Sequence, residues 1–342
     1  MREQTYYRRY GTLRPFKLSS GVNTRGYSGP LQRAMVDFGA DESFANAVKK
    51  VKEHYQIDIP LSSERYITMF HANSMKVSLN QEVVDKNRRA SKRDLSHRPG
   101  SDFIVSETDG SMVPIVVPKL GIKDKRKKKE VMYREARLTL AHKNGSKSSV
   151  FSATFGDVKT VGKHIRYCVD KAGCGANSTI HAVGDGAPWI AEQVDIQFGS
   201  QAKYLIDFYH ASEYLAAASH ECAVATPKKW LHTQQQLLKV GRHDIVLHHL
   251  KNYAMTNEDS ATNKCYYYLK RRVHQLHYDE AIKHNLPIGS GEIESAHRYI
   301  IQNRVKIQGA WWILGNAESM INLSIYRANN NWVSYWENYY AA

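Results

Sequence analysis

Three acidic side chains stand beside glycine at places where a strand or turn should expose them: Asp109 in ETDGSM, Asp185 in AVGDGAPW and a glutamate in GSGEIES. Glycine lets the backbone turn sharply and lets a bulky ligand approach the neighbouring carboxylate. Carboxylates brought to one point repel each other unless a cation joins them, and hard oxygen donors of this kind suit Mg2+ or Mn2+. The chemistry such a set could do is metal-assisted, with a polyanionic ligand supplying the remaining donors.

Each site taken singly has an ordinary alternative. Asp-Gly at 109–110 is a common hairpin-turn dipeptide. Asp185 could close a strand-to-helix turn by capping the helix. A glutamate in a first helical turn is favoured by the helix dipole alone. Glu292 and Glu294 differ by about 200° around a helix, so they cannot both aim at one metal pair. With Gly291 at the cap, Glu294 is assigned to the site and Glu292 to the dipole.

The elements that must position these groups can be read from periodicity. Residues 1–35 have no clear period and read as an irregular arm or short strands. Helical spacing begins after Asp41, with Phe44, Ala47, Val48, Val51 and Tyr55 on one stripe and Asp41 or Ser43 as cap. A second helix, capped by Ser62 or Ser63, should run to about Met75; the pair reads either as a helix-turn-helix or as a small helical subdomain without groove contact. The charged run DKNRRASKRDLSHRPG, with Arg88 and Arg89, reads as a linker or exposed basic loop that closes a region at residues 1–99. Three antiparallel strands should follow, with a turn at Asp109-Gly110 and the run KDKRKKK, holding Lys125, Arg126 and Lys127, between strands as a solvated loop or a phosphate contact. Then come helix, strand, helix and strand, a mixed α/β layer. Residues 213–285 read as an all-helical insertion between 100–212 and 286–342.

GDGAPWI, DFYHASEYL and PIGSGEIES…NRVK, in this order, resemble the DDE transposases of bacterial and archaeal insertion sequences, with some likeness to the Mutator-like group. The likeness covers roughly residues 100–327. It implies an α/β, ribonuclease H-like mixed sheet with a helical insertion, preceded by a small mostly helical N-terminal region. It implies a catalytic and metal-binding triad, Asp109, Asp185 and Glu294, holding two Mg2+ or Mn2+ ions, with the helical insertion between the second aspartate and the glutamate. Asp207 and His210 resemble the acidic-x-x-His motif of Mutator-like enzymes; His210 reads as a phosphate donor or as a structural histidine. Arg298, Arg304 and Lys306 would hold the strand being cut. Relatives often show Met-Arg-Trp after the glycine where this chain has GAWW, so Ala310 and Trp311 stand in place of the expected Met and Arg; Trp311 or Trp312 would stack on an unpaired base or pack in the core.

Composition agrees with a polyanionic partner. Among 342 residues, 48 Lys+Arg against 33 Asp+Glu leave a formal charge of +15 and a pI near 9.5. No long apolar run and no apolar leader core is present, so a cytoplasmic protein is expected, and Cys168, Cys174, Cys222 and Cys265 form no metal or disulfide spacing. The expected activity is DNA cleavage and strand transfer at the ends of a mobile element, by at least a homodimer on double-stranded DNA. The alternatives are a ribonuclease H-like nuclease or resolvase that does not join, and a transposase-derived DNA-binding protein that does not cut. A glycosidase with paired carboxylates would leave the basic charge without a purpose.

Overall fold

In the computed structural model, the described residues are 6–9, 11–13, 15, 26–90, 99–118, 129–254 and 259–341. Lys125, Arg126, Lys127 and the loop segment 91–98 lie outside them. By chain contacts the protein divides into two compact units. One comprises Met1–Glu82, Ser111–Ala136 and Ala296–Ala342, and the other Val83–Gly110 and Arg137–Ser295.

The fold is mixed α/β. In the first unit, β1 (Tyr6–Arg8) and β2 (Gly11–Leu13) form a two-stranded antiparallel ribbon. Helix α1 (Gly29–Asp41) follows, then α2 (Phe44–Tyr55), whose cap is Ser43, accepting from Asn46 N–H at 3.2 Å. The irregular reading of the first 35 residues thus misses the start of α1, which Pro30 opens at its first turn. Helix α3 (Leu61–Ala90) is 30 residues long. It runs well past Met75 and absorbs the first part of the expected linker, because Ile67, Met75, Leu79 and Val83 keep a buried stripe going.

The five-stranded sheet has the order β5-β4-β3-β6-β7. Its strands are β3 (Phe103–Pro118), β4 (Lys129–Lys143), β5 (Val150–Thr154), β6 (Thr179–Gly184) and β7 (Ala202–Ile206). Asp109 and Gly110 do not form a hairpin turn, as the dipeptide suggested; they lie inside the single 16-residue strand β3. Beyond them Val113 and Ile115 are buried, so β3 continues to gain by staying extended.

Strands β4 and β5 pair antiparallel, whereas β3, β6 and β7 pair parallel, Glu107 facing Val183 and Gly184 facing Ile206. The parallel strands carry near-continuous apolar runs: Ile104, Val105, Ile180, Val183, Leu205 and Ile206 are at most 1% exposed. That is the pattern of strands covered on both faces. Helix α4 (Val158–Lys171), capped by Asp157, packs on β5 and on α5 (Pro188–Phe198), and its Val161, Ile165 and Val169 are buried.

After β7 the chain is helical: α6 (Phe208–Cys222), α7 (Pro227–Lys239), α8 (His243–Ala254), α9 (Ala261–Lys270) and α10 (Tyr278–Lys283). Helix α9 packs against α6 and α8, and α7 packs against α6. The six-residue α11 (Gly291–Ala296) follows. The chain then passes through a π-helical turn, His297–Gln302, to α12 (Leu314–Ala328) and α13 (Trp332–Ala341) in the first unit. Among the described residues, no helix is long and apolar enough to cross a membrane.

Candidate active site

Open α/β sheets bind ligands beyond the carboxyl ends of their parallel strands. In this protein those ends are acidic. Asp185 directly follows β6 and Asp207 directly follows β7. The register sets Gly184 opposite Ile206, so one further step sets Asp185 level with Asp207. Glu107 pairs with Val183 at the last position of the β3–β6 ladder, Asp109 follows two residues on in β3, and the chain leaves β6 after Gly184 and bends at Asp185. In-register residues of adjacent parallel strands share a face, and so do residues two apart on one strand. Glu107 and Asp109 therefore share one face of β3, and Asp185 and Asp207 stand just past the ends of the neighbouring strands β6 and β7.

Asp185 sits on a fixed turn. Its carboxylate is exposed and accepts from Ala187 N–H at 2.8 Å; Ala187 itself is the N-cap of α5 and no side chain caps that helix, so Asp185 is not the helix cap of the ordinary alternative. Its carbonyl accepts from the Tyr268 hydroxyl at 2.8 Å. Gly186, at φ +84°, donates to the Tyr204 hydroxyl at 3.1 Å and accepts from Arg272 Nε at 3.0 Å.

Asp207 is 5% exposed and works as a fastener. One oxygen caps α6, accepting from Tyr209 N–H at 2.6 Å and His210 N–H at 2.9 Å. The other accepts from Ser290, from the N–H at 2.5 Å and from the hydroxyl at 2.6 Å. Four charge-assisted bonds leave this carboxylate little capacity for another ligand. His210 is half-buried, 3.6 Å from Glu213, with its ring edge-on to Tyr214 and Tyr268.

Pro287, Ile288 and Ser290 are each hydrogen-bonded to residues in or just after β6 and β7. Phe208 N–H donates to Ile288 O at 2.8 Å. His181 lies 2.7 Å from Pro287 O through Nε2. Burial holds its pKa down near 4, so the ring is neutral and the proton lies on Nε2, facing the carbonyl. Gly289 has no room for a side chain, since a Cβ would fall 2.7 Å from the Tyr209 ring. This anchoring delivers α11 to β3: Ile293 N–H donates to Glu107 Oε2 at 2.8 Å. Glu294 and Glu292 are both exposed on α11. Glu292 stands 3.4 Å from His142 Nε2 and accepts from the Ser149 hydroxyl at 3.4 Å, which gives it partners besides the helix dipole.

Glu107 is the site residue that the motif reading missed. It is 1% exposed, and its pKa is pushed up to about 8. Burial is the first cause, and the carboxylates of Glu292, Asp207 and Glu294 push the same way against the Ile293 bond. The period-two alternation of β3 carried the only sequence signal, since it places Glu107 on the Asp109 face. Carboxylate oxygens are the donors that Mg2+ or Mn2+ takes, so Asp109, Asp185 and Glu294 suit such ions in donor type, but the structure does not gather the three into a metal-holding group. Among the described residues, no three His, Cys, Asp or Glu side chains are gathered at metal-holding distances.

The basic candidates have different fates. Arg298 and Trp311 are exposed, with Lys129 Nζ 5.8 Å from a Trp311 ring centroid. Lys306 donates to the Ser111 hydroxyl at 2.6 Å. Arg304, expected to hold the cut strand, is instead 3% exposed. Its guanidinium lies between the rings of Phe44 and Trp312, 4.7 and 4.8 Å from their centroids, and Nε donates to Gly39 O at 2.9 Å. Trp312 is 5% exposed, so it packs in the core and has no face open to a base. Arg88 and Arg89 lie in the last turn of α3 and not in a loop; Arg88 is exposed and 3.2 Å from Asp85.

No curated protein matches the chain. A family model described as "Uncharacterised protein family (UPF0236)" matches residues 168–285, the stretch that contains Asp185, Asp207, His210 and the helices that follow.

Proposed function

We propose that the protein is a DDE transposase that cleaves DNA at the ends of a mobile element and transfers the strand to a target. The observation that supports this reading is the placement of carboxylates at the carboxyl ends of the parallel strands: Asp185 directly follows β6, Asp207 directly follows β7, and Glu107 on β3 is bonded to the start of α11 through Ile293 N–H. Hard oxygen donors of this kind suit a divalent cation. The motif resemblance and the charge of +15 supply the substrate class.

Asp109, Asp185 and Glu294 would hold two divalent ions. When bound, these supply a lowered pKa for an attacking water or 3′-hydroxyl and stabilise the leaving oxygen. The chain's own part is orientation. Asp185 is presented by its clamped turn, and Asp207, through Ser290, fixes the loop that leads into Glu294. Exposed Arg298 offers a phosphate contact. Pairing of two element ends would require at least a dimer on DNA.

The test is incubation of purified protein with Mg2+, duplex carrying the element's ends and a supercoiled plasmid. Joined products that vanish in Asp109→Asn, Asp185→Asn and Glu294→Gln support the proposal. Nicked products without joining would assign a nuclease or resolvase, and binding without cutting would assign a DNA-binding protein.

A further inference from the structure

We infer that Tyr268, on α9, and Arg272, in the turn just past it, are positioning residues for the Asp185 carboxylate, which lies far from both in sequence. This rests on the functional reading above. The turn that carries Asp185 has few bonds of its own. Its outward-facing polar groups are met from elsewhere: Asp185 O by the Tyr268 hydroxyl, Gly186 O by Arg272 Nε and Gly186 N–H by the Tyr204 hydroxyl. The fit is close enough that a Cβ on Gly186 would fall 2.5 Å from the Tyr268 oxygen.

The clamp is itself braced. The Tyr268 ring stacks on Tyr214 at 4.0 Å with an 8° interplanar angle. Arg272 covers the Tyr268 ring at 4.4 Å and donates from Nη1 to Tyr268 O at 3.2 Å. Stacking and cation–π contact hold the ring, and with it the hydroxyl oxygen, in place beside Asp185 O. Tyr214 lies on α6, whose first turn is capped by Asp207, so the brace returns to the neighbouring strand end. The exposed Asp185 carboxylate is thereby aimed by main-chain bonds, as residues around metal ligands commonly do. Groups of this kind change metal affinity or activity about 10- to 100-fold when removed.

Tyr268→Phe keeps the stack and deletes the donated bond; Arg272→Met deletes the second bond, and Arg272→Lys restores a donor. Three readouts are taken: amide hydrogen exchange at residues 186 and 187 without metal, Mn2+ titration by electron paramagnetic resonance, and DNA cleavage across Mn2+ concentrations. The expected result is faster exchange, Mn2+ affinity about 10-fold weaker, cleavage recovered at high Mn2+, and partial rescue by Arg272→Lys. If wild type binds Mn2+ through Asp185 and cuts DNA while Tyr268→Phe and Arg272→Met bind it equally well, the inference falls and the functional reading stands. A wild-type protein that neither binds Mn2+ nor cuts overturns the functional reading, and the inference with it.

Discussion

Asp207 holds Ser290 by two hydrogen bonds to one carboxylate oxygen, across 83 residues of chain. This is the main fastening of the loop that leads into α11. Asp207→Asn keeps an acceptor for the α6 cap but presents an NH2 group to the Ser290 N–H. Hydrogen bonds to charged groups contribute about 1.5–3 kcal/mol each, and a buried donor left unmatched costs a similar amount. Asp207→Asn is expected to lose about 3 kcal/mol of unfolding free energy with or without Mg2+, measured by urea denaturation. A variant as stable as wild type, with lost metal binding, would instead make Asp207 a ligand.

The two glutamates of α11 should separate cleanly. Glu292 has His142 and Ser149 beside it, whereas the assignment of Glu294 to the ions rests on its position three residues into the helix. Glu294→Gln is expected to reduce DNA cleavage by about 10^3-fold or more, the scale of losing a metal's several kcal/mol of charge stabilisation. Glu292→Gln should stay within about 10-fold of wild type. Single-turnover cleavage assays of both variants decide it, and the reverse order would exchange the two roles.

Arg298 and Arg304 are six residues apart and should behave as different kinds of residue. Arg304 is enclosed by Phe44, Trp312 and the Gly39 carbonyl. Burial lowers its pKa to about 10, against the pull of Asp41, Glu64 and Glu42. Arg304→Met leaves those carboxylates without it and should cost on the order of 2–4 kcal/mol of stability. Arg298→Ala should leave stability unchanged and reduce the slope of log affinity for DNA against log salt by about 0.9. An unchanged slope would remove Arg298 from the DNA contact.

The succession of strands and helices along the chain, and the helical run, were legible because they are written in local patterns. TIHAVG is a short apolar run bounded by turn residues, Val161, Ile165 and Val169 recur at helical spacing, and AKYLI repeats the first signal. The Asp109-Gly110 turn was misread because a dipeptide's turn preference is weaker than the pairing and burial of a long strand. That competition is settled by residues far away in sequence. Glu107 reads as one more polar residue in ETDG; what makes it unusual is the Ile293 N–H, 186 residues on. Tyr268 and Arg272 sit in YYYLKRR, where no spacing reports that a glycine turn 83 residues earlier receives the tyrosine's hydroxyl. Arg304 looked like a phosphate contact because its sequence neighbourhood is basic, and only the packing of Phe44 and Trp312 reveals its enclosure.

Glu64 is fully buried on α3, accepts from the Thr68 hydroxyl at 3.0 Å, and has its pKa pushed up to about 7, first by burial. Thr68 and Arg304 act in the opposite direction and do not overcome it. The folded protein therefore binds this proton more tightly than the unfolded chain does, whose glutamate titrates near 4.5. Where the folded state binds more protons, stability falls as pH rises. The contribution from Glu64 is complete below pH 4.5, declines through neutrality and is gone above about 7, a span of about 3 kcal/mol at most. Glu64→Gln keeps an acceptor for Thr68 and has nothing to titrate. Urea denaturation at pH 5, 6, 7 and 8 should show wild type losing stability relative to Glu64→Gln as pH rises. Parallel curves for the two proteins would mean that Glu64 is ionised in the fold, with Arg304 as its counter-charge.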